Sequence, residues 1–237
     1  MIGTILNTAA IVAGGLCGHQ FGRLLKERHQ ETLTMACGVG TLFIGMAGAM
    51  NYMLHNDLFP GGGTMLIVAC LALGGLLGEI VNIEYRFEQF GEWLKIKTGN
   101  AKDQGFVNGF LTASLTVCIG AMAIVGAIQD GIAGDWSILG AKSILDLIIV
   151  MVMTCSLGKG CIFSAIPVFL WEGALTLLAT AIKPIMTDAA MGYLSLVGNV
   201  LIFCVGINLV WGKRIRVANL LPAILFAVAV SFLPMTF

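Results

Sequence analysis

Long apolar runs alternate along this chain with short polar connectors. A helical membrane crossing takes about 20 mostly apolar residues, and eight runs approach or meet that length: 2–21, 35–54, 63–83, 106–128, 138–157, 162–182, 189–210 and 217–233. The last is short, and Pro234 closes it. The pattern predicts an all-α membrane protein of eight spans, forming a single polytopic domain over residues 1–237.

The connectors give the runs a direction. The first holds Arg23, Lys26 and Arg28, the third Arg86, Lys95, Lys97 and Lys102, the fifth Lys159, and the seventh Lys213, Arg214 and Arg216. The even connectors, NYMLHNDLFPGGG, QDGIAGDW and KPIMTD, carry only Lys183. Lysine and arginine concentrate on the cytoplasmic side, so both termini are expected outside the cytoplasm. The long third connector, 84–104, places Phe87, Phe90 and Leu94 at helical spacing with Trp93 beside them. That pattern suits a short helix in the cytoplasmic interface; a solvated loop with a few anchors is the plainer reading.

Composition agrees with a lipid environment. The chain is 58% hydrophobic and 11% charged, with mean hydropathy +0.94, against about 25% charged in ordinary soluble domains. The formal net charge of zero gives no electrostatic footprint for nucleic acid. MIGTILNTAA lacks a basic n-region, so Met1 is expected to begin the mature chain. The 7 cysteines form no CxxC pair and read as small buried hydrophobes.

Glycines are abundant, at 31. Gly14, Gly18 and Gly22 in span one, and Gly74 and Gly78 in span three, recur every fourth residue, the spacing of close helix packing. Gly40-Thr41 followed by Gly48 matches Gly198-Asn199 followed by Gly206 in offset. Spans one to three and six to eight are therefore candidate inverted copies around spans four and five, an organisation familiar in secondary transporters.

Ionisable groups at membrane depth are costly and face a cavity or a partner. Span five puts Lys142 and Asp146 one turn apart on the same face, with Asp146 near the midplane. Glu172 lies near the centre of span six, and Asn199 at similar depth in span seven. Lys142 and Asp146 either neutralise each other as a packing device or line a site for an ion or charged solute. Glu172 either exchanges a proton during a cycle or stays protonated and donates a hydrogen bond.

Pro167 deprives the Phe163 carbonyl of its helical donor, and Pro222 does the same to Ala218. Freed carbonyls of this kind line solute sites or merely mark kinks. Span four adds Thr112, Ser114, Thr116 and Gly120, and Asp130 and Asp135 are read as an outer connector that attracts cations. Asn7 and Asn219 are further polar groups nearer the surfaces.

There is no GxSxG, HExxH or phosphate-cradling loop, and Gly61–Gly63 reads as a turn. His19, His29 and His55 have no spacing that suits a metal. An enzyme is not expected, nor a cofactor or resident metal.

The strings ILNTAAIVAGGLCG, TASLTVCIGAMAIVGAIQDG, SILGAKSILDLIIVMVMTCSLGKG and RVANLLPAIL together resemble the YdfK/YqgA family of bacterial membrane proteins, a domain of unknown function, across essentially the whole chain. The resemblance implies a bacterial inner-membrane location and supplies no substrate. A glutamine often stands at the span-six acid in that family's pattern, so Glu172 departs from it, which weakens its claim as an essential proton site.

The expected function is secondary transport of a small, charged solute, with H⁺ or Na⁺ coupling. The expected site comprises Lys142, Asp146, Glu172, Asn199, Ser114 and Thr116. The expected partners are the lipid bilayer, the solute or ion, and a second copy in a homo-oligomer. A membrane scaffold or partner subunit held by glycine faces, and a passive channel, are the alternatives.

Overall fold

The computed structural model describes residues 1–22, 24–55, 63–118, 121–184 and 187–232. Arg23, residues 56–62 of the second connector, Gly120, residues 185–186 and Pro234 lie outside them, as do the side chains of Cys37 and His55.

The described residues contain helices and no strand. In chain order these are α1 (Ile2–Gly22), α2 (Glu27–His55), α3 (Gly63–Val81), α4 (Ile83–Lys97), α5 (Phe106–Cys118), α6 (Ala121–Ala133), α7 (Ser137–Leu157), a 3-10 segment (Lys159–Ser164), α8 (Ala165–Leu177), α9 (Ala179–Ile182), α10 (Asp188–Trp211), α11 (Val217–Leu220) and α12 (Pro222–Val230). Among the described residues, six helical stretches are long and apolar enough to cross a membrane, or seven if α5 and α6, bent by 62°, count as one. The eighth expected span is the shorter apolar stretch Val217–Val230.

Local chemistry sets several of these boundaries. Gly158 (φ 89°) and Gly212 (φ 77°) end α7 and α10 in conformations that side chains disfavour. Pro222 begins α12, and the Ala218 carbonyl that it frees accepts instead from the Leu221 amide at 3.2 Å. Pro167 does not kink a span: it sits in the first turn of α8, where the missing N–H costs little.

Glycine contacts define the pairing. Gly14, Gly18 and Gly22 meet Leu147, Met151 and Cys155, so α1 and α7 run parallel in intimate backbone contact. A Cβ at Gly18 would fall 2.1 Å from the Met151 carbonyl oxygen. Gly38, Gly45 and Gly48 meet Val210, Phe203 and Asn199, so α2 and α10 are antiparallel. Gly74 and Gly78 meet Ala223 and Asn219 across an equally antiparallel α3–α12 and α3–α11 seam. These directions are those of crossings that alternate along the chain. Gly48 faces Asn199 while Gly206 faces Leu42, so the shared glycine offset describes a reciprocal contact within one helix pair.

Polar contacts join the basic connectors at one end. Lys213 pairs with Glu84 at 2.8 Å and with Glu88, Arg216 pairs with Glu79 at 3.0 Å, and Lys159 donates to Asn100 at 3.1 Å. At the opposite end the Met1 amine lies 2.8 Å from Asp130. Helix α4 lies at the basic end, with Phe87, Phe90 and Leu94 packed on Phe106, Phe110 and Phe163. Its apolar face is therefore covered by protein, and Tyr85, Trp93 and Ile96 point outward instead. Elsewhere the exposed positions are large and apolar, among them Phe43, Leu76, Ile80, Ile144, Leu170 and Leu225. That is the inside-out distribution of a chain whose solvent is hydrocarbon.

Candidate functional site

Four elements bring polar groups together in the interior. Lys142 and Asp146, one turn apart on α7, form an ion pair. Asn7 of α1 donates from its amide nitrogen to Asp146 at 3.0 Å and to Glu172 of α8 at 2.9 Å. The Lys142 ammonium donates to the Val117 carbonyl of α5 at 2.9 Å and lies 3.7 Å from the Glu172 carboxylate. Asn7, Lys142, Asp146 and Glu172 are exposed by only 0%, 6%, 4% and 1% respectively.

The Val117 contact follows from the break in span four. The last carbonyls of a helix lack intrahelical donors and form the negative end of its dipole. Val117 lies in the final turn of α5, just before the chain bends by 62° into α6. Lys142 caps that end with a positive charge. The cluster thus contains one ammonium, two carboxyl groups, one amide and a helix C-terminus in a site that excludes bulk water.

Layers on either side close it. Toward the basic end, Ile11, Val150 and Val168 stand one turn beyond Asn7, Asp146 and Glu172, and all three are completely buried in one apolar cluster. Toward the other end, the Thr4 and Thr176 hydroxyls are 3.2 Å apart, and Thr176 donates to the Glu172 backbone carbonyl at 2.8 Å. Beyond them Asp130 accepts from the Gly3 amide at 3.0 Å. Asp130 is therefore a buried residue of α6, and the expectation that it attracts cations from an outer connector is corrected. Asp135 does lie in that connector, where it accepts from the Ser137 amide at 3.0 Å, a bond that holds its carboxyl below the usual range.

A cavity of ≈ 230 Å³ lies at the basic end, lined in part by Thr34, Glu84, Asn108, Thr112, Asn208 and Lys213. Leu115 also lines it, two residues before Val117. Burial works to lower the Lys213 ammonium, but the hydrogen bonds it donates to Glu84 and Glu88 outweigh it and hold the group above its ordinary 10.5. Glu84 is itself buried, and its carboxylate also accepts from the Ala218 amide at 3.2 Å.

Of the six expected site residues, three meet: Lys142, Asp146 and Glu172. Asn199 is elsewhere, wedged against Gly48 with its amide donating to Ser195 at 2.7 Å, because α2 and α10 pair with each other. Thr116 turns its hydroxyl back to the Thr112 carbonyl at 2.7 Å, the usual resort of a hydroxyl in a membrane helix. Ser114 is buried, and its oxygen makes no hydrogen bond to the cluster. Asn7, expected nearer the surface, is the residue that joins the two acids. Its signal was the glycine stripe: Asn7, Ile11, Gly14 and Gly18 follow helical spacing on one face of α1, the face that α7 covers.

The chain is 30% identical over 232 residues to the "Uncharacterized membrane protein YdfK" of Bacillus subtilis (strain 168), covering 98% of this chain and 96% of that one. It is 29% identical over 235 residues to the "Uncharacterized protein YqgA" of Escherichia coli (strain K12), with the same shares covered. No solved structure matches. Over residues 2–232 the sequence matches the model for proteins of unknown function DUF554, and the chain belongs to that family of multi-pass membrane proteins.

Proposed function

We propose that this protein is a secondary transporter of a small charged solute, coupled to H⁺ or Na⁺, with its site at Asn7, Lys142, Asp146 and Glu172. The observation that carries the reading is the sealed ionic cluster at the broken fourth span. Three ionisable side chains at membrane depth are expensive, and a purely structural role calls for none of them. Discontinuous helices with exposed ends recur at the sites of transporters. The apolar layer of Ile11, Val150 and Val168 on one side, and the Thr4–Thr176 contact on the other, supply the two barriers that alternating access requires.

In this reading the chain crosses the bacterial inner membrane eight times, the basic connectors face the cytoplasm, and both termini face away from it. The ≈ 230 Å³ cavity is then the cytoplasmic vestibule. The scaffold alternative, a chain held together by its glycine faces, accounts for the seam of Gly14, Gly18 and Gly22 on α7 but assigns no task to the buried acids. A passive channel needs a continuous path, whereas both sides of the cluster are occupied by side chains.

Proteoliposomes carrying pH-sensitive and Na⁺-sensitive dyes, challenged in turn with small amines, amino acids and carboxylates, test the proposal. The expected result is a saturable flux for one class, lost in Lys142→Met and in Asp146→Asn. Full flux in either variant removes the site assignment, and no flux from the native protein with any class removes the transport reading.

A further inference from the structure

The cluster lacks positive charge and hydrogen-bond donors. Both amide hydrogens of Asn7 are directed at carboxylates, one to Asp146 and one to Glu172. The Lys142 ammonium serves Val117 and Asp146 and leans toward Glu172. What remains without a partner is two acceptors, Asn7 Oδ1 and Glu172 Oε2, on side chains that are 0% and 1% exposed. Exchanging the Asn7 oxygen and nitrogen would aim its oxygen at two carboxylates, so the orientation is chemically determined. With both acids ionised, two carboxylates against one ammonium leave one negative charge in excess.

A buried acceptor without a donor costs about 1–3 kcal/mol, and an excess buried charge costs more. An occupant that is positively charged and carries N–H or O–H groups removes both penalties, and the sodium arm of the test below separates it from a bare monovalent metal. An anion meets the wrong charge, and a neutral acceptor meets only more acceptors. Hard divalent metals take six or more oxygen ligands, far beyond the two that are unclaimed.

We propose that Asn7 and Glu172 form a binding site for one monovalent cation that donates hydrogen bonds: a proton, ammonium, or the head of a primary alkylammonium. Each supplies a hydrogen to Glu172 Oε2 and neutralises the excess charge, and the ammonium forms carry a further hydrogen for Asn7 Oδ1, while Lys142 stays on Asp146 and Val117. This deepens the transport reading by naming its cargo class and rests on that reading only for movement across the membrane. Binding itself stands apart from it.

The test uses the full chain in lipid nanodiscs and three chlorides at equal ionic strength: methylammonium, choline and sodium. Choline matches methylammonium in charge but has no N–H. Methylammonium at tenfold its half-saturating concentration is expected to raise Tm by about 3–6 °C, with little change from choline or sodium, and Glu172→Gln loses the shift. In the proton case methylammonium gives no shift, and the native protein at neutral pH instead shows an infrared band of a protonated carboxyl that Glu172→Gln removes. Stabilisation by choline or sodium equal to that by methylammonium overturns the proposal. So does the absence of both shift and band, a result read on the native protein even if Glu172→Gln fails to fold. Methylammonium that binds but does not cross proteoliposomes overturns the transport reading and leaves this one intact.

Discussion

The Lys142 ammonium reaches from α7 to the Val117 carbonyl at 2.9 Å, in the last turn before the fourth span changes direction. One side chain therefore closes a helix end and neutralises the acid one turn away. Removing half of such a buried pair adds an uncompensated charge to the cluster, whereas removing both halves adds none. Lys142→Met is expected to lower stability by about 3–5 kcal/mol, and the double variant Lys142→Met with Asp146→Asn to recover most of it. Flux should stay lost in both. Denaturant unfolding in detergent and proteoliposome flux check the two halves, and recovered flux in the double variant refutes a direct role for the pair.

Asn7 links the two acids through bonds of 3.0 and 2.9 Å. Hydrogen bonds to charged groups contribute about 1.5–3 kcal/mol in water-soluble proteins, and side-chain bonds inside membranes contribute less. Asn7→Ala should cost about 1–3 kcal/mol and reduce flux, while Asn199→Ala should leave flux unchanged. Equal losses in both would separate flux from the cluster.

The α1–α7 seam admits no side chain at Gly18, where a Cβ would sit 2.1 Å from a backbone oxygen. Gly18→Leu should prevent folding and reduce the yield of monodisperse protein several-fold. Gly40→Ala is the control, since a Cβ there meets nothing within 4 Å. Size-exclusion profiles of the two variants decide the point, and a well-folded Gly18→Leu protein contradicts the packing.

The Lys213 contacts with Glu84 and Glu88 carry a pH signature. A lysine whose folded value is raised contributes stability that is complete below its ordinary 10.5 and disappears as pH climbs through the higher folded value. Tm should therefore show no Lys213-dependent change between neutral pH and the ordinary value, then decline above it, and Lys213→Met should lack that component of the decline. A Lys213-dependent loss near neutral pH would contradict the geometry.

Sidedness is open to direct measurement. In a cysteine-free background, a cysteine at Asp135 should react with an impermeant maleimide in intact spheroplasts. Cysteines at Lys102 and Arg214 should react only after permeabilisation. Labelling of Lys102 and Asp135 positions from the same side would rule out the alternating arrangement.

The eight apolar runs and the charge of their connectors were legible because lipid imposes length and the membrane imposes sidedness, and both are written locally. Lys142 and Asp146 were legible for the same reason, being four residues apart on one helix. The break within span four was not, since 106–128 reads as one apolar run and only the bend at its middle exposes the Val117 carbonyl. Asn199 was misassigned because depth was taken for proximity: residues at one level of a bundle are not neighbours unless their helices are.

The sequence by itself determined the class of the protein, its apolar helical stretches, the uneven charge of their connectors and the presence of charged residues within them. These depend on composition and period along one chain direction, which hydrocarbon and connector charge dictate without reference to other helices. Only the tertiary structure decided which helices touch, and hence that Asn7 and Glu172, 165 residues apart, share the charge of Lys142 and Asp146. Helix pairing in a membrane rests on shape and on a few polar contacts, because lipid is as apolar as the side chains it meets. Those contacts follow from glycine seams fitting particular backbones, and that fit exists only once the helices are assembled.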